Sequence, residues 1–209
     1  MATRVSRAES KARTKDDLTA AARRVFLEQG YHAASLDAIA DEAGYTKGAV
    51  YSNFRGKDEL FLAVLETHYA QRATIYEEII LRETDIEETF RAIARFMLEA
   101  YALEPAWWPL LSEFARYAQR NPAVGERLRI ARERFMAAVA RSIERVCERH
   151  GITFALPSVE IARGSGALLR GMSFEWLLDP ASNRAEVFEE LHVGLLRGLV
   201  VPAEERSTP

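Results

Sequence analysis

The sequence predicts an all-α protein. Three observations carry that reading. Apolar residues recur three or four apart in successive segments from about residue 14 to 200, the spacing of one helix face. Most of these segments end at a glycine or proline and restart at a residue suited to a helix N-terminus. Sustained alternation of apolar and polar residues is missing, as are the Asn-Gly and Asp-Gly pairs that mark hairpins.

The first helix is expected from about Thr14, where Asp16 and Asp17 complement the helix dipole. Leu18, Ala21, Ala22, Val25 and Phe26 form its apolar face, and Gly30 stops it. Ser35 is a good N-cap for a short helix carrying Leu36, Ile39, Ala40 and Ala43, with Gly44 as its stop. Thr46 caps another short helix whose buried side is Ala49, Val50 and Phe54. Gly56-Lys57-Asp58 breaks the chain, and a long helix follows to about Leu81.

Further on, the expected helices span 86–103, 106–119, 122–150, 159–178 and 184–200. Asn121-Pro122 opens the longest of them and Gly151 closes it. Asp179-Pro180 stops the next. Apolar residues make up 48 % of the chain, enough to fill a core. No run of 18 apolar residues is present, so no membrane partner is expected. The opening MATRVSRAESKARTK lacks the apolar stretch of a secretory signal, and one cysteine cannot form an internal disulfide, so the cytoplasm is the expected compartment. Cys147 itself is expected to be a buried, inert thiol.

The net charge of −3 argues against nucleic acid, but its distribution does not. Residues 1–57 hold ten Lys or Arg against seven Asp or Glu, so the acidity lies in the remainder. A basic end on an acidic body suits contact with phosphate at that end; a solvated tail explains the first residues equally well. Catalytic signatures are missing: there is no HExxH, CxxC pair or Walker A loop, and His32, His68, His150 and His192 are scattered. Neither an enzyme nor a resident metal or cofactor is expected.

Three short helices in the first 55 residues, the last two joined at Gly44-Tyr45, make a helix-turn-helix arrangement. In that motif the second helix of the pair enters the major groove by its N-terminal end. Here that helix is Thr46 to Ser52, with Lys47, Gly48, Tyr51 and Ser52 opposite its apolar side. Gly48 weakens a helix by about 1 kcal/mol relative to alanine. A close approach of the backbone to a groove wall is one reason to keep it; an incidental glycine in an ordinary three-helix subdomain is the other.

The run Phe26-x3-Gly30-Tyr31, then Ser35-Leu36-Asp37-Ala38-Ile39-Ala40-x2-Ala43-Gly44-Tyr45-Thr46-Lys47-Gly48-Ala49-Val50-Tyr51-x2-Phe54-x2-Lys57-x2-Leu60, resembles the DNA-binding signature of the tetracycline-repressor (TetR) family. It combines stops, caps, apolar positions and polar contacts in one register. Asn53 departs from it, since many members carry histidine before the phenylalanine. The resemblance implies an N-terminal three-helix DNA-binding domain and a C-terminal helical domain for ligand binding and dimerisation. The expected boundaries are 1–57 for the first, with 1–13 a basic flexible arm, 58–203 for the second, and 204–209 a frayed tail. Chemistry and resemblance together assign DNA contacts to Ser35, Tyr45, Thr46, Lys47, Gly48, Tyr51, Ser52 and Lys57. Tyr51 and Lys57 are expected to clamp the backbone; Tyr45 to Gly48 are expected to face base edges, where a lysine favours guanine O6 and N7.

The helix at 159–178 is apolar nearly all round, which requires cover on all sides. With the last helix it suggests a four-helix interface between two chains, through Leu168, Met172, Phe188, Leu191, Leu195 and Leu199. An internal core is the other way to cover it; the resemblance favours the homodimer. The middle of the chain is rich in aromatics, which fill a helical core or line an apolar effector pocket. The resemblance implies a pocket for a small-molecule effector, with Met97, Tyr101, Trp107, Trp108, Phe114, Tyr117 and Trp176 as its candidates. The function it implies is a regulator, by default a repressor, released from palindromic double-stranded operator DNA by a small apolar or amphipathic ligand. A dimeric DNA-binding factor with no effector is the alternative.

Overall fold

A computed structural model of the chain describes residues 7–179, 181 and 184–201. Among these, the helices run in the order α1 (Arg7–Ala33), α2 (Leu36–Ala43), α3 (Lys47–Asn53), α4 (Lys57–Arg82), α5 (Ile86–Leu103), α6 (Trp107–Gln119), α7 (Pro122–His150), α8 (Ser158–Leu178) and α9 (Ala185–Leu199). The described residues also include a pair of two-residue strands, β1 (Thr153–Phe154) and β2 (Val200–Val201), paired antiparallel with Thr153 opposite Val201. Two residues are too few to leave an alternating pattern in a sequence.

Helix ends fall where side chains or glycines satisfy the main chain. Ser35 accepts from the Ala38 N–H at 3.1 Å, Thr46 from Ala49 at 3.2 Å and Asp85 from Glu88 at 2.9 Å. Gly44 takes a left-handed φ of 71° after α2, and Gly151 one of 64° after α7. The first helix differs from expectation at both ends. It starts at Arg7, so the described part of the supposed arm, from Ala8 to Arg13, is exposed helix; residues 1–6 lie outside the described part, as do 202–209 with the supposed frayed tail. It also passes a kink at Gly30 (φ 79°, ψ 169°), after which one more turn continues to Ala33.

The chain divides into two compact units. The first comprises residues up to Tyr69 together with Ala106–Ala131. Its core joins Leu18, Ala22 and Phe26 of α1, Ile39 of α2, Val50 and Phe54 at α3, Leu60, Phe61 and Leu65 of α4, and Trp107, Leu110 and Phe114 of α6. The unit therefore runs past residue 57, because the start of α4 and all of α6 supply its filling. The Phe61 and Phe114 rings stack at 4.1 Å, and Phe26 meets Phe61 edge-on at 5.1 Å.

The second unit comprises Ala70–Pro105 and the residues from Arg132 onward. In it α5 packs along α9, and α8 against α9. Phe90, Val146, Phe154, Ile161, Val193 and Leu196 form a buried cluster there. Arg91 of α5 bridges to Glu189 at 3.1 Å and Glu190 at 2.6 Å on α9, and Arg197 of α9 returns to Glu87 at 2.5 Å. His192 of α9 is fully buried, stacked on Phe188 at 5.8 Å. Burial lowers its pKa to about 4, with the Phe90 main chain pulling the other way. Cys147 is half-buried rather than buried. No helix among the described residues is long and apolar enough to cross a membrane.

Candidate nucleic-acid interface

The α2–turn–α3 segment is held rigidly from below. Ile39 and Val50 are fully buried, and Ala40 and Phe54 are nearly so. The Tyr45 N–H bonds back to the Ala40 carbonyl at 2.9 Å and closes the turn. Burying that face leaves the opposite one outward: Thr46, Lys47, Gly48, Tyr51 and Ser52 are exposed, Tyr51 by 54 %. A Cβ at Gly48 would meet only the Thr46 hydroxyl oxygen, at 3.7 Å. Among the described residues nothing requires a glycine there.

Several of these side chains have internal partners. Lys47 Nζ forms an ion pair with the Asp37 carboxylate of α2 at 2.8 Å, both side chains more than half exposed. That hydrogen bond and charge raise the lysine pKa. Ser52 Oγ donates to the Ala49 carbonyl at 2.8 Å, and the Asn53 amide donates to the same carbonyl at 2.9 Å.

Two of the expected DNA contacts are engaged within the chain itself. The Tyr45 hydroxyl donates to Asp17 at 2.9 Å and the ring is half-buried. It fastens the turn to α1 rather than facing base edges. Lys57 donates to the carbonyls of Tyr31, His32 and Ala34 at 2.8, 3.1 and 3.0 Å and lies 4.7 Å over the Tyr31 ring. A lysine ammonium has three N–H donors, so none is left for a phosphate in this arrangement. Burial lowers its pKa, opposed by Asp58 and Glu113. Lys57 is a cap on the end of α1.

Sequence reasoning missed the groups that complete this joint. Glu113 of α6 accepts from the main-chain N–H groups of Tyr31 at 3.0 Å and His32 at 2.8 Å. The Asp58 carboxylate accepts from the Tyr31 hydroxyl on one oxygen and from Tyr117 at 3.1 Å on the other. Burial, then Asp58, pushes the Tyr31 pKa well above its usual value, and the same causes raise Tyr117.

Of the seven proposed pocket residues, four lie in the first unit and three in the second. Trp107, Trp108, Phe114 and Tyr117 belong to the first unit, where Trp107 stacks on His68 at 3.8 Å and Phe114 is fully buried. Trp107 and Phe114 sit in that unit's buried core, with Trp108 and Tyr117 packed against it. Met97, Tyr101 and Trp176 lie in the second unit, with Tyr101 and Trp176 in ring contact at 5.5 Å. On the expected dimer face, Leu191 and Leu195 are exposed by 49 % and 39 %, and Leu168, Met172 and Leu199 are half-buried. Phe188 is fully buried within its own chain, so it cannot lie on that face. Phe174 and Leu178 of α8, exposed by 58 % and 66 %, extend the apolar surface instead.

A short, capped helix presented outward across a glycine turn defines a helix-turn-helix DNA-binding regulator. The pattern of bacterial regulatory proteins of the tetR family matches residues 18–64, and that of the BetI-type transcriptional repressor C-terminal domain matches 86–200. The chain belongs to the TetR family of transcriptional regulators, which are transcription factors, not enzymes. Over 131 residues it is 31 % identical to the transcriptional activator FasR of Mycolicibacterium smegmatis, covering 63 % of this chain and 59 % of FasR. Over 179 residues it is 28 % identical to the nicotine-responsive repressor HdnoR of Paenarthrobacter nicotinovorans, covering 81 % of this chain and 87 % of HdnoR. The fold is that of FadR from Bacillus subtilis, solved with stearoyl-CoA, at a TM-score of 0.68, 16 % identity and coverage of 87 % and 96 %.

Proposed function

We propose that the chain is a homodimeric repressor that binds a palindromic operator through Thr46, Lys47, Gly48, Tyr51 and Ser52, with Ser35 beside them at the start of α2. The observation that carries this reading is the exposure of that face on a buried, hydrogen-bonded base. One short helix reads few base pairs, so two copies about one DNA turn apart are needed. The exposed leucines of α8 and α9 support dimerisation through those helices.

A small apolar or amphipathic ligand releases the DNA by binding better to a form that does not fit the operator. HdnoR is nicotine-responsive and the FadR structure holds stearoyl-CoA, which supports an effector of this kind and does not specify it. Met97, Tyr101 and Trp176, which share the second unit, are the pocket candidates within it. A ligand shifts the equilibrium only by its differential affinity; a roughly 100-fold preference weakens operator binding by about 2.7 kcal/mol. The protein acts in the cytoplasm, where the operator lies.

Selection of bound duplexes from a random pool tests the reading. A two-fold symmetric sequence is the expected result, together with sedimentation as a dimer that Leu191→Asp dissociates. A monomer that retains no duplex at low salt would refute it.

A further inference from the structure

The stretch from Gly30 to Ala34 is the last turn of α1 past its kink and the residue that joins it to the Ser35 N-cap of α2, so its seat sets that of the helix-turn-helix that follows. Both sides of its main chain are gripped from elsewhere. Its carbonyls are taken by Lys57 of α4, at Tyr31, His32 and Ala34. Its N–H groups at Tyr31 and His32 are taken by the two carboxylate oxygens of Glu113, about 80 residues away on α6. Gly30 makes this approach possible. Its φ of 79° suits no ordinary side chain, and a Cβ there would lie 2.9 Å from Glu113 Oε2. The carboxylate thus fills the space a side chain would need. Tyr117 of the same helix adds a bond to Asp58 at 3.1 Å.

We infer that Glu113 is a positioning residue for DNA reading: it holds the Gly30–Ala34 stretch on α6 and so fixes the angle at which α3 meets the groove. The inference rests on the assignment of α3 as the reading helix. It gives α6 a part in operator recognition through the main chain of α1. A carboxylate accepting two main-chain N–H groups makes two charge-assisted bonds, and glutamine in its place offers one neutral acceptor and a repelling NH2. The neighbouring core of Phe61, Phe114 and Trp107 stays unchanged by that substitution, so the fold is retained while the seat loosens.

The experiment compares wild type, Glu113→Gln and Glu113→Ala on the selected palindrome, on palindromes with the half-site spacing changed by one base pair, and on random duplex. Both variants are expected to fold, to bind random duplex like wild type, and to lose about tenfold on the parent palindrome. The preference for parent spacing over changed spacing should flatten. Amide exchange at Tyr31 and His32 should quicken, while exchange at the buried core of α4 stays as it is. Unchanged spacing preference in the folded variants overturns the inference. So does a loss on every duplex in step with falling thermal stability, which would mark Glu113 as a fold element only. If Glu113→Ala does not fold, Glu113→Gln decides; if neither folds, the inference is overturned. Wild type that selects no palindrome overturns the assignment of α3 itself, and this inference with it, before any Glu113 variant is made.

Discussion

Lys47 and Asp37 face each other across the α2–α3 turn, with Nζ 2.8 Å from the carboxylate. The lysine that the sequence offers to a guanine is held, in the free protein, by an acid of the neighbouring helix. On the proposed reading, bound DNA displaces that acid. An exposed pair is weak and screened by solvent, so Asp37→Asn should raise operator affinity by no more than about fivefold. Asp41→Asn removes the same charge one turn away without touching Lys47 and is the control. Equal gains in the two variants by fluorescence anisotropy would mean that net charge, not the pair, is responsible.

Lys57 gives a sharper contrast between stability and binding. Its ammonium caps three carbonyls at the end of α1. Lys57→Met should lower the unfolding free energy by about 2 kcal/mol, measured by urea denaturation. The salt dependence of operator binding should keep its slope. A drop of about one in that slope would restore Lys57 to the phosphate contacts.

At Gly48 the two properties should move in opposite directions. Space for a Cβ exists within the chain, and alanine favours a helix by about 1 kcal/mol. Gly48→Ala should therefore raise the melting temperature yet weaken operator binding tenfold or more, through a clash with the groove wall. Operator binding that survives unchanged would remove Gly48 from the interface.

His192 makes the second unit sensitive to acid. Its pKa lies at about 4 in the folded chain against an ordinary 6.5. The unfolded chain binds the extra proton first as pH falls, so the stability is fully present above about 6.5 and is lost as pH drops toward 4. The span corresponds to roughly 3 kcal/mol at most. His192→Phe should flatten the profile of stability between those pH values. A wild-type profile that is already flat there would show that the ring finds a partner when protonated.

Local chemistry made much of the fold readable. Ser35, Gly44 and Thr46 act on main-chain groups within a few residues of themselves, and Val50 and Phe54 fall on one side by helical spacing alone. The outward face of α3 follows from that arithmetic. Glu113 carries no such mark, because its partners Tyr31 and His32 are remote in the chain and a glutamate on an amphipathic helix looks solvated. Lys57 misled for a related reason: a family motif fixes residue type and register, not which way an ammonium turns. Trp107 and Phe114 were legible as buried aromatics, but composition does not say which core they fill. The buried position of Phe188 likewise depends on how α9 rests on α5, which periodicity alone leaves open.

The stacking of Trp107 on His68 gives the first unit an optical signature. The indole centroid lies 3.8 Å from that of the imidazole, so its emission depends on the packing of that ring pair, whereas Trp176 is in ring contact with Tyr101 in the second unit. Emission recorded from a Trp108→Phe, Trp176→Phe protein would therefore report on the packing beneath the DNA-reading helices alone, with no attached dye.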